Sequence, residues 1–436
     1  MSLLTSLSSG ASGLSSASSD LSIIGDNIAN ANTVGFKAER GDFEDELAQS
    51  VIGGTGEIGL GSQLASVQKI FTQGSLQNTG VPTDLALQGS GFFEVAGTTA
   101  DGRTGTYLTR AGQFTVDSNG YLVNQNGLRV QGYGADASGT LSSAVGDLQV
   151  GNASAAPSAT TQISMKANLQ ADATIPAAAW DPTQASATSN FSSSATVYDS
   201  LGKATQVQVY FRRTGSGTWD YHALVDGSTV QGGTAGTPVE IASGSLAFDA
   251  QGQLQSTTQG ASNFSPLNAN PQPLTFNFGD PIASGGTGLA GVTQFSAASV
   301  ATFVGQDGYG SGQLTSVQVD STGTIQGVFT NGQTRTLGQV GVARVASPEL
   351  LQRIGGNLYA VTGDSGNLTL DSGQAVMGAA GQGGRAFIAS GSLEQSNVDI
   401  ADQFVQMIAA QRSFEANSKT ITTADQLLSE LIAMKR

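Results

Sequence analysis

The side chain best suited to chemistry is His222, the one histidine of the chain, set in Trp219-Asp220-Tyr221-His222. A Ser-His-Asp relay built on it is possible in principle. The residues around it read better as an ordinary strand with aromatic neighbours. A single histidine rules out a multi-His metal site. The absence of cysteine removes disulfides, Cys zinc sites, Fe–S clusters and a thiol nucleophile. Two Gly-x-Gly-x-x-Gly matches occur, Gly54 to Gly59 and Gly286 to Gly291, in a chain with 59 glycines. Neither opens the helix of a strand–turn–helix unit, so the fingerprint carries no weight. There is no Walker A loop and no His-Glu-x-x-His, and the scattered carboxylates single out no glycosidase pair. No enzymatic activity, catalytic residue, cofactor or metal is expected.

Three segments share the form apolar-Asp-x-x-Gly-x-apolar: Val116 to Leu122, Phe248 to Leu254 and Val319 to Ile325. Each has one carboxylate, whereas a calcium loop needs several oxygen ligands at alternate positions. An Asp that starts the turn and a Gly that takes the positive φ predict tight hairpins instead.

Composition narrows the class further. Charged residues make up 12% of the chain, against roughly 25% in an average soluble protein. Aromatic residues make up 6%, so little apolar area is available per residue. Many short strands with tight turns suit this better than one large core. The formal charge of −15 opposes binding to nucleic acid or to an anionic membrane face. No run of about 20 apolar residues is present, so no membrane insertion is expected. No Lys or Arg precedes Lys37, so the N-terminus lacks the positive region of a cleaved signal peptide.

The two ends differ from this β-rich middle. Leu7, Leu14, Leu21 and Ile28 recur every seven residues, and Leu3, Ala17, Ile24 and Ala31 form a second row with Gly10 as its gap. The spacing predicts a helix over 3–31 with one apolar seam. Its many Ser and Gly residues are poor helix formers, so it should need a partner. At the other end Ile400, Met407, Phe414, Ile421 and Leu428 are seven apart, and Phe404, Ala424, Leu431 and Ile432 widen the stripe. Ser396-Asn397-Val398-Asp399 reads as a capping box opening this helix. Lys435 and Arg436 sit where the helix dipole favours cations. Paired terminal helices that also pack against further copies are the expectation. Between about 151 and 304 the chain turns to long Ser/Ala/Thr/Gly runs and holds both tryptophans, which suggests a domain inserted into a discontinuous one.

The motifs resemble a known family. Ile28-Ala29-Asn30-Ala31-Asn32-Thr33-Val34-Gly35-Phe36-Lys37 is similar to the N-terminal signature of flagellar axial proteins, the rod and hook subunits. Ser396-Asn397-Val398-Asp399-Ile400 and Gln411-Arg412-Ser413-Phe414-Glu415-Ala416-Asn417-Ser418-Lys419 resemble the C-terminal signature. Asp84 to Phe93, Tyr107 to Phe114 and Asn331 to Gln339 are similar to interior segments of the same family. The insertion, with Thr196-Val197-Tyr198-Asp199-Ser200-Leu201-Gly202, resembles hook rather than rod subunits.

The resemblance implies a mainly β fold with α-helical termini paired as a coiled coil, a discontinuous β domain and an inserted, outer barrel-like β domain. The boundaries are 1–32 with 397–436 for the helical layer, 33–75 with 375–396 for linkers, 76–150 with 305–374 for the discontinuous domain, and 151–304 for the insertion. It further implies a homopolymeric curved tube serving as a universal joint between motor and filament. Its partners would be the distal rod, the hook–filament junction proteins, the hook cap and the flagellar type III export apparatus. Its place would be the extracellular flagellum, reached without a cleaved signal. A distal rod subunit, and more distantly a secreted β-rich adhesin or enzyme, remain the alternative readings.

Overall fold

The computed structural model describes residues 3–47, 59–361 and 376–434. The chain is mainly β, opened by a helix over Leu3–Ala29 and closed by one over Ile400–Met434. At 1.5 Å per residue these helices are about 40 and 52 Å long. Two compact units form: Met1–Ala153 with Ser316–Val328 and Thr334–Arg436, and Ser154–Thr315 with Phe329–Gln333.

In the first unit, strands far apart in sequence share one sheet. Val342 and Ala343 pair with Phe93 and Phe92, and Leu358 and Tyr359 pair with Thr109 and Leu108. Phe92, Leu108, Ala343, Val345, Leu351 and Tyr359 are buried together, with Phe71 against them. The rings of Phe71, Phe92 and Tyr359 meet edge-on at 5.4, 5.6 and 6.0 Å, the arrangement that ring quadrupoles favour. Two long strands, Glu39–Leu47 and Gly59–Lys69, form an antiparallel arm.

The second unit has an antiparallel meander over Phe191–Tyr198, Ala204–Gly215, Thr218–Asp226, Pro238–Phe248 and Leu254–Gln259. A smaller sheet joins Gln162–Asn168 to Thr275–Asn277 and Val300–Gln306. Both sheets bury side chains in one core. Strand 204–215 shows how: Thr205, Val207, Val209 and Phe211 turn inward at every second position, the period of a half-buried strand.

The three Asp-x-x-Gly segments are hairpin turns. The carboxylates of Asp117, Asp249 and Asp320 each accept two backbone N–H groups, at 2.8–2.9 Å. Gly120, Gly252 and Gly323 take φ of 84, 76 and 81°. Each carboxylate is thus occupied by its own loop. Asp136 and Asp199 build the same turn, two examples that the sequence reading passed over.

The residues weighed for chemistry are separated by the fold. The imidazole of His222 stacks on Trp180 at 4.0 Å, and its Nδ1 lies 3.3 Å from Glu240 Oε2, which accepts from Trp180 Nε1. The second Gly-rich match follows a single 3-10 turn at Ile282–Ser284. Most of the first, 54–58, lies outside the described residues. Among the described residues no group of three or more His, Asp or Glu could hold a metal. No helix among them is long and apolar enough to cross a membrane.

One carboxyl in the first unit carries a cost. Glu94 is half-buried in strand Phe92–Thr98, and burial pushes its pKa up to about 7 from 4.5. The folded state therefore holds a proton that the unfolded state releases, and stability falls as pH rises from 4.5 through 7. Glu94→Gln should leave stability unchanged at pH 4 and raise it by about 1–3 kcal/mol at pH 8. Urea midpoints at the two pH values test this, and equal shifts at both would contradict it.

Candidate assembly site

The two terminal helices lie antiparallel, with Gly10 beside Ile421, Gly13 beside Asn417 and Asn27 bonded to Gln403 (3.0 Å). Among the described residues of the C-terminal helix, and besides Ser418, the covered positions are Gln403, Met407, Ala410, Phe414, Asn417, Ile421, Ala424 and Leu428. They alternate by four and three, the spacing of a coiled-coil seam. Opposite them Ala17, Ile24 and Asn27 are buried, and Leu7, Leu14, Leu21 and Ile28 are half-buried.

Three details differ from the sequence reading. Ile400 and Phe404 face outward, so the seven-residue row enters the seam only at Met407. Gln403 takes the first seam place because its side chain meets the Asn27 amide, buried at the top of the pair. Gly10 is no gap. A Cβ there would lie 3.1 Å from Ile421 Cγ1, and one on Gly13 would lie 2.7 Å from Asn417 Nδ2. The helices touch where the N-terminal one has no side chain. The side chain of Leu431, and Lys435 and Arg436 altogether, lie outside the described residues.

The second flank of the N-terminal helix explains its serines. Ser16 donates to Ser62 O (2.9 Å), Ser12 donates weakly to Leu60 O (3.4 Å) and accepts from Ser62 N (3.3 Å). Gly61 has a φ of 121°, and a Cβ there would strike Ser12 Oγ. Residues that weaken an isolated helix are here the ones that fasten it to the arm.

The signature residues form the joint between helices and β body. The helix stops at Ala29, where Asn30 Nδ2 donates to Asp26 O (2.9 Å) and Thr33 Oγ1 donates to Asn30 Oδ1 (3.1 Å). Asn32 stays exposed in this turn. Gly35, at φ 71°, presses on the Arg110–Ala111 backbone, and its N–H donates to Glu394 O (2.8 Å). The Phe36 ring is buried beneath the Arg353 guanidinium (5.1 Å), which also reaches Asp26 (2.8 Å).

Next to it lies a buried charge cluster. Lys37 Nζ donates to Glu394 Oε1 (2.6 Å) and Thr72 O (2.7 Å), and Arg110 Nη1 donates to Glu394 Oε2 (3.2 Å). Gly74 N–H adds a further bond to Glu394 Oε1 (3.0 Å). The Lys37 and Glu394 side chains are fully buried. Burial pushes the Lys37 ammonium and the Arg110 guanidinium below their ordinary values, and Glu394 opposes the shift in both.

At the C-terminal side Asn397 clasps the opposite strand ends. Its Oδ1 accepts from Ala38 N (2.8 Å) and its Nδ2 donates to Ile70 O (2.8 Å). The expected capping box is displaced by three residues. The N-cap is Asp399, whose Oδ1 accepts from Ala401 N (2.9 Å). Ser396 only turns the chain ahead of it, accepting from Val398 N (3.3 Å), with Val398 half-buried. Asn397, tied by its side chain to Ala38 and Ile70, stays in the irregular segment ahead of the helix, which leaves Asp399 as the cap. Of the second motif, Phe414 and Asn417 enter the seam, while Gln411, Arg412, Glu415 and Ala416 stay exposed.

Glu394, Asn27 and Gln403 were not legible beforehand as parts of the joint. The available signal was polar residues at seam spacing, and an acid just before Ser396-Asn397-Val398-Asp399.

A helical pair made from segments far apart in the chain, keyed into a β body and with large apolar side chains left exposed on its second helix, defines a structural protein of the axial type. Family models agree along the chain. Residues 7–37 match flagella basal body rod proteins, 86–183 the flagellar hook protein FlgE/F/G D1 domain, 168–309 the flagellar basal body protein FlaE D2 domain, and 389–434 the C-terminal part of flagellar basal body rod FlgEFG proteins. The chain is 32% identical over 488 residues to flagellar hook protein FlgE of Treponema pallidum, covering 100% of both chains. It is 32% identical over 428 residues to that of Escherichia coli, covering 97% of this chain and 98% of the other. It is 34% identical over 439 residues to that of Brucella suis, covering 100% of both. The chain belongs to the flagellar hook protein family.

Proposed function

We propose that copies of this chain pack their terminal helices side by side into a hollow helical tube. The residues 1–32 and 397–436 line its inner layer, the discontinuous β domain surrounds them, and the insertion faces outward. The tube is the curved hook, a universal joint carrying torque from motor to filament. It joins the distal rod at one end and the junction proteins at the other, grows under a cap, and is supplied by type III export without signal cleavage. The observation that carries this reading is that the C-terminal helix leaves large apolar side chains exposed. Phe404, Val405 and Ile408 are 50, 67 and 54% exposed, and Ile432 and Met434 are 68 and 85% exposed. Covering such side chains is worth about 1.5–3 kcal/mol each, so a solitary copy leaves much stabilisation unused.

Electron microscopy of polymers grown from purified protein tests it. The wild type should give curved tubes, and Ile432→Asp should give few or none while both β units stay folded, because an unpaired charge resists burial. Straight rigid polymers would favour a rod subunit instead. Normal tubes from Ile432→Asp would contradict packing through the exposed apolar side chains of this helix.

A further inference from the structure

The exposed large apolar side chains of the C-terminal helix gather at its two ends. Ile400, Phe404, Val405 and Ile408 lie in its first nine residues, and Leu427, Ile432 and Met434 in its last eight. From 409 to 426 no large apolar side chain is exposed, and the bare positions are Ala, Ser, Thr, Gln and charged residues. Apolar ends separated by a polar middle suit a contact made through the ends, besides any made along the sides.

The two ends also differ in shape. At the start of the helix a cleft of about 500 Å³ opens between residues 72–75 and 396–401, within the size range of clefts that seat a ligand. Gly74, Ser75, Ile400 and Ala401 help to line it, and Phe404 follows Ile400 one turn on, on the same face. Asp399 in the lining and Asp402 beside it are exposed, and among the described residues neither is in an ion pair. The far end projects. The pairs Gly10–Ile421 and Gly13–Asn417, continued to Leu3, reach about residue 428, and the helix runs on to Met434. Ile432 and Met434 stand bare on this last stretch, and the sequence continues with Lys435 and Arg436. A projecting apolar end followed by cations thus corresponds to an apolar cleft edged by acids. The peptide dipoles add to the match, since the partly negative end of one helix favours the partly positive start of another.

We propose that the last turn of the C-terminal helix of one copy seats in the cleft at the start of the C-terminal helix of the next copy. Ile432 and Met434 then lie against Ile400 and Phe404, and the cations at 435 and 436 meet Asp399 and Asp402. Each copy offers its cleft to one neighbour and its helix end to another, a heterologous contact of the kind that builds open filaments. The proposal rests on the polymer reading above and supplies the lengthwise contact that side-by-side packing lacks.

Disulfide trapping tests it. Residues 400 and 434 stand about 51 Å apart along one helix at 1.5 Å per residue, so cysteines at these places can bond only between copies. The chain has no cysteine of its own. Ile400→Cys/Met434→Cys, copolymerised with wild type and then oxidised, should give linked dimers and longer ladders, whereas Leu201→Cys/Met434→Cys should give at least tenfold fewer. Ala401→Trp, which fills the cleft from an exposed position, should lower pelletable polymer at least tenfold with far-UV circular dichroism unchanged. Copolymers without linked copies, or Ala401→Trp polymers at wild-type yield, overturn this docking and leave the tube intact as a reading. A wild type that forms no polymer overturns both.

Discussion

Glu394→Ala should remove about 3–5 kcal/mol from the first unit, the cost of taking one partner from a buried ion cluster. Among the described residues Glu394 is the one carboxylate paired with Lys37 and Arg110, and its loss leaves the two cations facing each other out of water. Lys37→Met should cost distinctly less. It leaves Arg110 and Glu394 as a matched pair, and it removes the ammonium that burial already disfavours. Net charge, not the number of bonds lost, decides the order. Urea unfolding followed by far-UV circular dichroism, with amide exchange to localise the effect, measures both variants. Tryptophan fluorescence supplies the internal control, since Trp180 and Trp219 both belong to the second unit and their transition should not move. Equal losses from Glu394→Ala and Lys37→Met would show that the cluster's charge balance is not what holds it together.

That cluster also marks the limit of what the sequence displays. A lysine after Phe36 and an arginine before Ala111 carry no local sign of burial, since charged residues are buried only when paired. The partner that buries them comes from position 394, far along the chain, and no local pattern announces it. The Asp-x-x-Gly turns are the opposite case. Everything that determines them, one carboxylate and one glycine at fixed spacing, lies within six residues, so three were readable directly.

The terminal helices fall between these cases. Met407, Phe414, Ile421 and Leu428 were legible because large apolar residues repeat every seven. The companion row of Gln403, Ala410, Asn417 and Ala424 was not, because small and amide side chains carry no hydrophobic signal. Apolarity alone therefore placed Ile400 and Phe404 in the seam, where hydrogen bonding and close approach select Gln403 instead. The same blindness made Gly10 look like a defect. In a seam, absence of a side chain is a contact when the facing helix supplies one.

Gly13→Leu should abolish most tube formation, although leucine is the better helix former by nearly 1 kcal/mol. The facing Asn417 amide already lies 2.7 Å from where a Cβ would stand, so a leucine must displace that side chain and crowd the seam. Overpacking of this kind costs about 1–3 kcal/mol, or about 5–150-fold in a contact equilibrium at 1.4 kcal/mol per tenfold. Gly25 provides the contrast within the same helix. Nothing lies within 4 Å of a Cβ placed there. Gly25→Ala should therefore express only the propensity gain, stabilising the helix by about 0.5–1 kcal/mol and leaving polymer yield at or above wild type. Sedimentation of assembled protein, with amide exchange over residues 3–29, reads both effects. The two substitutions act on one helix through opposite terms, so matching losses from them would mean that flexibility of the glycines, rather than closeness of the seam, is what assembly requires.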